Sequence, residues 1–460
     1  MEHQEHVLNG ADKAEVEEYF KQREQLVEED TRDYFAVDVG ELTEEEKKAD
    51  EVLQDLKDQL LENGQMPFLE NYYDSKPKME KSKLYTVLKT MPKGAHLHYH
   101  LTASAPLELL MELSKEDIVY YNQKKNKIKV FPKGNPEEGY TECSLIRQNW
   151  TKEKTFDDFL RDKILLNRED ISSKHSNTIW DRFQYKFDLT FQLYNYHKFF
   201  RRILFEVLKG AIAESCYIVE FKHIFGCVID DDQKVVDLAT ELSIIQECFE
   251  KAKRIESMLE MKLVICARKT FGEDHIKSQL DSCMKAIKET TLIAGFDLVN
   301  EEDTTPPLKT FRKLIKLAQE DNDKLSLFFH AGESSSRKNE NLYDAILLNT
   351  KRIGHGFAIE NHPHLINLVK KKGICLEICP LSNLILGYVM DLRWHPGRSL
   401  MNRGVPITIS ADDPGFWGTQ GVSLDYAYIA LAWELTVKEL KQFAINAIKY
   451  SSVEDKEKVG

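Results

Sequence analysis

Two histidines one residue apart, His98 and His100, lie in the apolar run 94–101, Gly-Ala-His-Leu-His-Tyr-His-Leu. Alternate residues of a strand share a face, so both imidazoles can point into one interior and grip one ion. Alone, such a pair is a weak signal, since two core or surface histidines are commoner. Three later segments add weight: His330-Ala331-Gly332-Glu333, Gly354-His355-Gly356 and Ser410-Ala411-Asp412-Asp413-Pro414. Each ends an expected strand, on the face where parallel barrels assemble their chemistry. Singly, a histidine after Phe328-Phe329 reads as a satisfied core residue and Asp-Asp-Pro as a turn; jointly they read as a site. Three imidazoles and a carboxylate hold Zn²⁺ and leave a place for water, whose pKa the metal lowers toward ~7. A second carboxylic acid supplies a proton, and a further histidine holds or deprotonates the water. His96 shares the phase of His98 a layer deeper and is left unassigned.

The elements that must carry these residues are short β-rich runs separated by helical stretches. The runs are 94–101, 216–224, 262–268, 293–299, 325–331, 352–357, 374–380 and 405–411. Eight strands with helical connections in one series predict an α/β fold, a TIM-type (β/α)₈ barrel over residues 81–451. The stretch 102–215 is too long for a simple connection and predicts an inserted subdomain around 118–155. Residues 1–80 predict a helical extension, with helices near 11–29 and 43–62 and a polar tail at 452–460. Thr43 with Glu46 has the capping-box spacing, and Ala49, Val52, Leu53, Leu56 and Leu60 form an apolar stripe. Such a stripe must dock, either on its own barrel or in a homodimer.

The 460-residue chain is 42% hydrophobic and 30% charged, a composition that suits a globular protein. A net charge of −13, with no basic stripe interleaved with aromatics, argues against a nucleic-acid partner. No run is long enough to span a bilayer, and the first residues lack a secretory pattern, so a cytoplasmic setting is expected. The eight cysteines are scattered through apolar runs, as suits reduced core thiols.

In this order the motifs resemble the adenosine deaminase family of the amidohydrolase superfamily, and within it the adenosine deaminase growth factor branch. The likeness runs from about residue 45 to 450 and includes Met91-Pro92-Lys93-Gly94, Gly295-Phe296-Asp297-Leu298-Val299 and Arg352-Ile353-Gly354-His355-Gly356-Phe357-Ala358. It continues from Glu377 to Pro414 and through Ala444-Ile445-Asn446-Ala447-Ile448-Lys449-Tyr450-Ser451. The resemblance implies hydrolytic deamination of adenosine or a related purine nucleoside with one Zn²⁺ per chain. It implies His98, His100, His330 and Asp412 as metal ligands, with Asp412 also counted among the catalytic residues. Glu333 would be proton donor to purine N1, His355 the group on the attacking water, and Asp413 the contact to N7. Gly332 falls among the substrate contacts, and Trp180 matches an aromatic on the sugar side, with helix packing as the other account. The branch also gives a precedent for dimerisation through N-terminal helices.

Two departures bear on specificity. The chain reads Leu101-Thr102 where the family has an Asp that holds the ribose, and Asn300 where it has a glycine facing purine N3. The branch is typically secreted, unlike the expectation above. Two alternatives therefore stay open: an enzyme for a modified adenine nucleoside, and a binding or scaffold protein that keeps the zinc site. Retention of Glu333 and His355 favours an enzyme, because a structural zinc needs only its ligands.

Overall fold

The computed structural model describes residues 13–32, 34–64, 66–171, 176–322 and 324–454. β1 (Gly94–His100) opens the barrel. The insertion after it carries β2 (Val119–Asn122), β3 (Lys127–Val130) and β4 (Thr141–Glu142), an antiparallel sheet in the order β3-β2-β4. The chain then adds β5 (Cys216–His223), β6 (Glu260–Arg268), β7 (Ile293–Val299) and β8 (His330–Ala331). β9 (Arg352–His355), β10 (Cys375–Ile378) and β11 (Ile407–Ile409) complete it. Two four-stranded parallel sheets result, β1-β5-β6-β7 and β11-β10-β9-β8. Bridges Tyr99 to Asp412 and Phe296 to Leu327 join their edges, so the ring closes as the TIM-type barrel.

The run 325–331 departs from the expected strand, for regular pairing survives only at His330–Ala331. Side chains displace the ladder there: Phe329 N–H donates to Thr350 Oγ1 at 3.2 Å and His330 N–H to Asp297 Oδ1 at 3.0 Å. The irregularity therefore serves the residue that must be aimed inward.

α1 (Lys13–Thr31) and α2 (Glu44–Glu62) form the N-terminal extension. The capping box at Thr43 and Glu46 is formed. α2 packs against helices Lys83–Thr90 and Val437–Lys449, and buries Leu53, Leu56 and Lys57. The Lys57 ammonium donates to Leu435 O at 2.9 Å while its stem covers apolar surface. The stripe is narrower than expected, because Ala49 and Val52 are exposed. Val52 lies about 100° round the helix from Leu53, off the contact face. Helix Ser176–Asn195 contributes from Trp180 to Asn195 to the wall of a cavity at the C-terminal end of the strands. No helix among the described residues is long and apolar enough to cross a membrane.

Candidate active site

At the C-terminal ends of β1, β8 and β11 the side-chain nitrogens of His98, His100 and His330 converge with an oxygen of Asp412. His98 Nε2 is 3.2 Å and His100 Nε2 3.3 Å from Asp412 Oδ1, and His100 Nε2 is 3.3 Å from His330 Nε2. Ligand atoms set tetrahedrally 2.0–2.1 Å from zinc stand ~3.3 Å apart, so the spacing is that of a zinc cage. His98 Nε2 and Asp412 Oδ1 are buried without a hydrogen-bond partner. Orphaned acceptors facing one another are costly, and a cation at their centre removes the cost. The donor set fits Zn²⁺. A second grouping of His98, His355, Cys379 and Asp412 fits less well. Burial pushes the Cys379 thiol far up, and a protonated thiol is a poor ligand.

What aims these nitrogens lies one layer out. His98 Nδ1 meets Glu377 Oε2 at 2.7 Å, and His330 Nδ1 meets Asp297 Oδ2 at 2.7 Å. Each carboxylate accepts a hydrogen bond from Nδ1–H, which fixes that tautomer and leaves Nε2 bare toward the centre. Both carboxylates answer to one cation, since the buried Lys222 ammonium is 2.7 Å from Asp297 Oδ2 and 3.7 Å from Glu377 Oε2. Arg352 adds contacts at 2.6 Å to Glu377 and to Glu220. Burial alone would raise these acids; Lys222 then outweighs it, helped by His330 at Asp297 and by Arg352 at Glu377, and both stay ionised. Ser382 Oγ–H donates to Asp412 Oδ2 at 2.7 Å. His96 has a role here too, for its Nε2 accepts the Ala411 N–H at 3.0 Å and pins the chain just before Asp412.

Strained backbone occurs at the site as well as elsewhere in the chain. His355 (φ 60°) and Asp412 (φ 63°) are non-glycine residues in the left-handed region. Gly354 permits a close approach, because a Cβ there would sit 2.9 Å from His98 Cε1.

Glu333, His355 and Asp413 surround the cage on its open side. His355 Nε2 is 3.6 Å from Glu333 Oε1 and 3.9 Å from Asp412 Oδ2, so it overlooks the side of the metal position that the four ligands leave open. Burial, reinforced by Asp412 and Glu302, pushes Glu333 far above the usual carboxylate range and keeps it a proton donor at neutral pH. Burial followed by the Asp412 charge does the same to Asp413, whose Oδ1 is unpartnered. Burial holds His355 far below its ordinary value, hence neutral and able to accept a proton. A carboxylic acid and a neutral imidazole flanking a metal position can together activate water and protonate its target.

These groups form one end of a cavity of ≈ 610 Å³ that also reaches Thr102, Trp180 and Asn300. Trp180 Nε1–H donates to Tyr388 Oη at 2.6 Å, which fixes the ring against the wall. Asn300 keeps a glycine-like backbone, φ 110°, and turns its carboxamide away to accept from Thr270 N and Oγ1 at 3.4 and 3.2 Å. The expected bulk beside a bound ring is thereby reduced. Gly332, expected as a substrate contact, has its N–H committed: it donates to Glu302 Oε1 at 3.0 Å, as the Glu333 N–H does to Oε2. Glu302 thus fixes the loop that carries the proton donor. Sequence reasoning assigned no role to Lys222, Glu302 or Ser382, and treated Asp297 and Glu377 only as parts of motifs. The available signal was charge inside apolar runs, where a buried ionised group needs a partner.

Comparison with known proteins agrees with this geometry. Residues 160–460 match the family described as adenosine deaminase. Adenosine deaminase 2 of Dictyostelium discoideum is 32% identical over 415 residues, 85% of this chain and 76% of that protein. Adenosine deaminase 2 of Homo sapiens is 30% identical over 409 residues, 84% of this chain and 80% of that one. Among solved structures, an Arabidopsis N6-mAMP deaminase superposes with a TM-score of 0.61 at 18% identity, covering 81% of this chain and 97% of its own. An adenine deaminase from Arthrobacter aurescens gives 0.58 at 20% identity, covering 80% and 96%. The two structures show the fold.

Proposed function

The chain belongs to the adenosine deaminase family of hydrolytic deaminases, and from that premise we propose that it converts adenosine, or a closely related purine nucleoside, to the inosine-type product and ammonia. The observation that carries this reading is the cage of His98, His100, His330 and Asp412 with Glu333 and His355 buried on its open side, where burial pushes the acid well up and the imidazole well down. One Zn²⁺ would be held by those four side chains and would supply activation of water, whose pKa it lowers toward ~7. His355 orients the water or takes its proton. Glu333 gives its proton to N1 of the purine, which makes C6 accept the water oxygen; the water proton taken by His355 passes to the amino group, which leaves as ammonia, and the C6 hydroxyl proton returns to Glu333 as the carbonyl forms. Asp413, itself protonated, holds N7. A scaffold reading requires none of the last three groups in these protonation states. The altered ligand contacts, Thr102 on the sugar side and the redirected Asn300 at the purine edge, keep a modified nucleoside as the second reading. Eight free thiols suit a reducing, cytoplasmic setting, and the exposed face of α1 suits a homodimer.

The test is elemental analysis of purified protein together with ammonia release from a panel of adenine nucleosides. About one zinc per chain is expected, with turnover lost on chelation and restored by zinc. Zinc-loaded protein that releases no ammonia from any adenine nucleoside, or full activity without metal, overturns the reading.

A further inference from the structure

The half of the cavity away from the metal cage is built by the ends of β5, β6 and β7, and it contains a cation that has no carboxylate partner among the described residues. Arg268, the last residue of β6, lines the cavity and is half-buried. Its guanidinium has a ring contact, lying 4.7 Å from the centroid of Phe271, and no carboxylate at ion-pair distance. That is unusual within this molecule. Among the described residues, every other arginine that is buried or half-buried pairs with a carboxylate: Arg147 with Asp157, Arg161 with Glu108, Arg182 with Asp170, Arg201 with Glu247, Arg202 with Glu112, Arg352 with Glu220 and Glu377, and Arg398 with Glu434. Half-burying a guanidinium without a counter-charge is costly, and a chain that pairs the rest leaves this one facing a ligand space.

The surroundings hold it there. The Arg268 N–H donates to His275 Nε2 at 3.2 Å, so in neutral His275 the proton is on Nδ1, and the imidazole stands edge-on to Phe271 at 5.2 Å. His275 and Ser278 face the same cavity one turn apart on helix Gly272–Glu289. Asp188 is the single acidic side chain on this half; it acts on Arg268 across the cavity without reaching ion-pair distance.

We propose that Arg268, flanked by His275 and Ser278, is a subsite for an anionic group on the sugar of the substrate, so that the preferred substrate class is an adenine nucleoside monophosphate. The assignment rests on the proposed deamination reading for its orientation. With the purine at Glu333 and Asp413, the space left in the same cavity for the sugar and its substituent is the part that Thr102, Trp180 and Arg268 line. A planar guanidinium binds phosphate through two parallel N–H···O bonds, which water or an exposed lysine does not match.

Steady-state kinetics on adenosine and adenosine 5′-monophosphate is the test, run on wild type, Arg268→Gln and Arg268→Lys at one ionic strength. Calorimetric binding of inosine and inosine 5′-monophosphate is measured alongside. Wild type is expected to prefer the monophosphate by about 10-fold or more in kcat/KM and in affinity. Arg268→Gln should collapse that preference ratio, whatever happens to the rate common to both substrates, and Arg268→Lys should restore part of it. Equal handling of the two ligands by wild type overturns the subsite without needing any variant. So does a preference ratio that Arg268→Gln leaves unchanged. If no adenine compound is deaminated the deamination reading fails, and the inosine pair still decides the subsite by binding alone.

Discussion

A carboxylic acid that must give up a proton at neutral pH has to be kept neutral until its substrate arrives, and Glu333 is kept so by burial first and by two neighbouring carboxylates second. Its backbone is tied through Glu302, so the side chain is presented from a fixed loop. Glu333→Gln preserves shape and hydrogen-bonding reach but carries no transferable proton. Turnover should fall by ~10²-fold or more with zinc content unchanged, as read by paired kinetic and elemental measurements. Normal turnover by the Gln variant would remove Glu333 from the mechanism. The identities of these residues were legible in the sequence because each stands at a strand end in a short motif. The direction of Asn300 was not, since its carboxamide is captured by Thr270, a residue thirty positions away in sequence.

Strands position the cage only if the layer beneath it is rigid, and here three of them are cross-tied by charge: β5 through Lys222, β7 through Asp297 and β10 through Glu377. Lys222→Met would leave two buried carboxylates facing each other without their common cation. The His98 and His330 rings would lose their fixed orientation, and zinc affinity should drop by ~10–100-fold. Competition against a chelator measures this, with circular dichroism showing whether the barrel persists; unchanged affinity in a folded variant would sink the positioning role. All eight strand runs were readable from apolar texture, yet texture is blind to a charge that faces inward. Lys222, Asp297 and Glu377 sit in the middle of such runs, and only barrel closure brings β5, β7 and β10 to one point. The shortening at β8 was equally hidden, because it depends on Thr350 and Asp297 replacing ladder partners from elsewhere in the chain.

At the scale of the whole molecule, the two N-terminal helices make opposite use of their apolar residues. α2 is part of the barrel's own packing, with Leu53 and Leu56 in the main core and Asp50 accepting the Val437 N–H at 2.9 Å. α1 leaves Tyr19, Phe20, Leu26 and Val27 exposed, and the pairs Tyr19/Leu26 and Phe20/Val27 recur seven residues apart along one side. Only the second helix was read from sequence as carrying a stripe, and sequence does not say which helix docks within the chain, because the decision belongs to surfaces hundreds of residues away. An apolar stripe on an otherwise charged, solvent-facing helix calls for a partner, and a second copy of α1 presents a matching one. Removing residues 1–32 should therefore convert a dimer to a monomer while the melting temperature of the remaining fold stays nearly constant. Removing residues 1–66 should in addition uncover the surface beneath Leu53 and Leu56, each worth about 1.5–3 kcal/mol when buried, and lower the melting temperature or cause aggregation. Light scattering and thermal melts on the intact chain and the two truncations separate the contributions. An intact chain that is monomeric at micromolar concentration rules out the dimer. A shorter truncation as destabilising as the longer one would place α1 in the core packing instead.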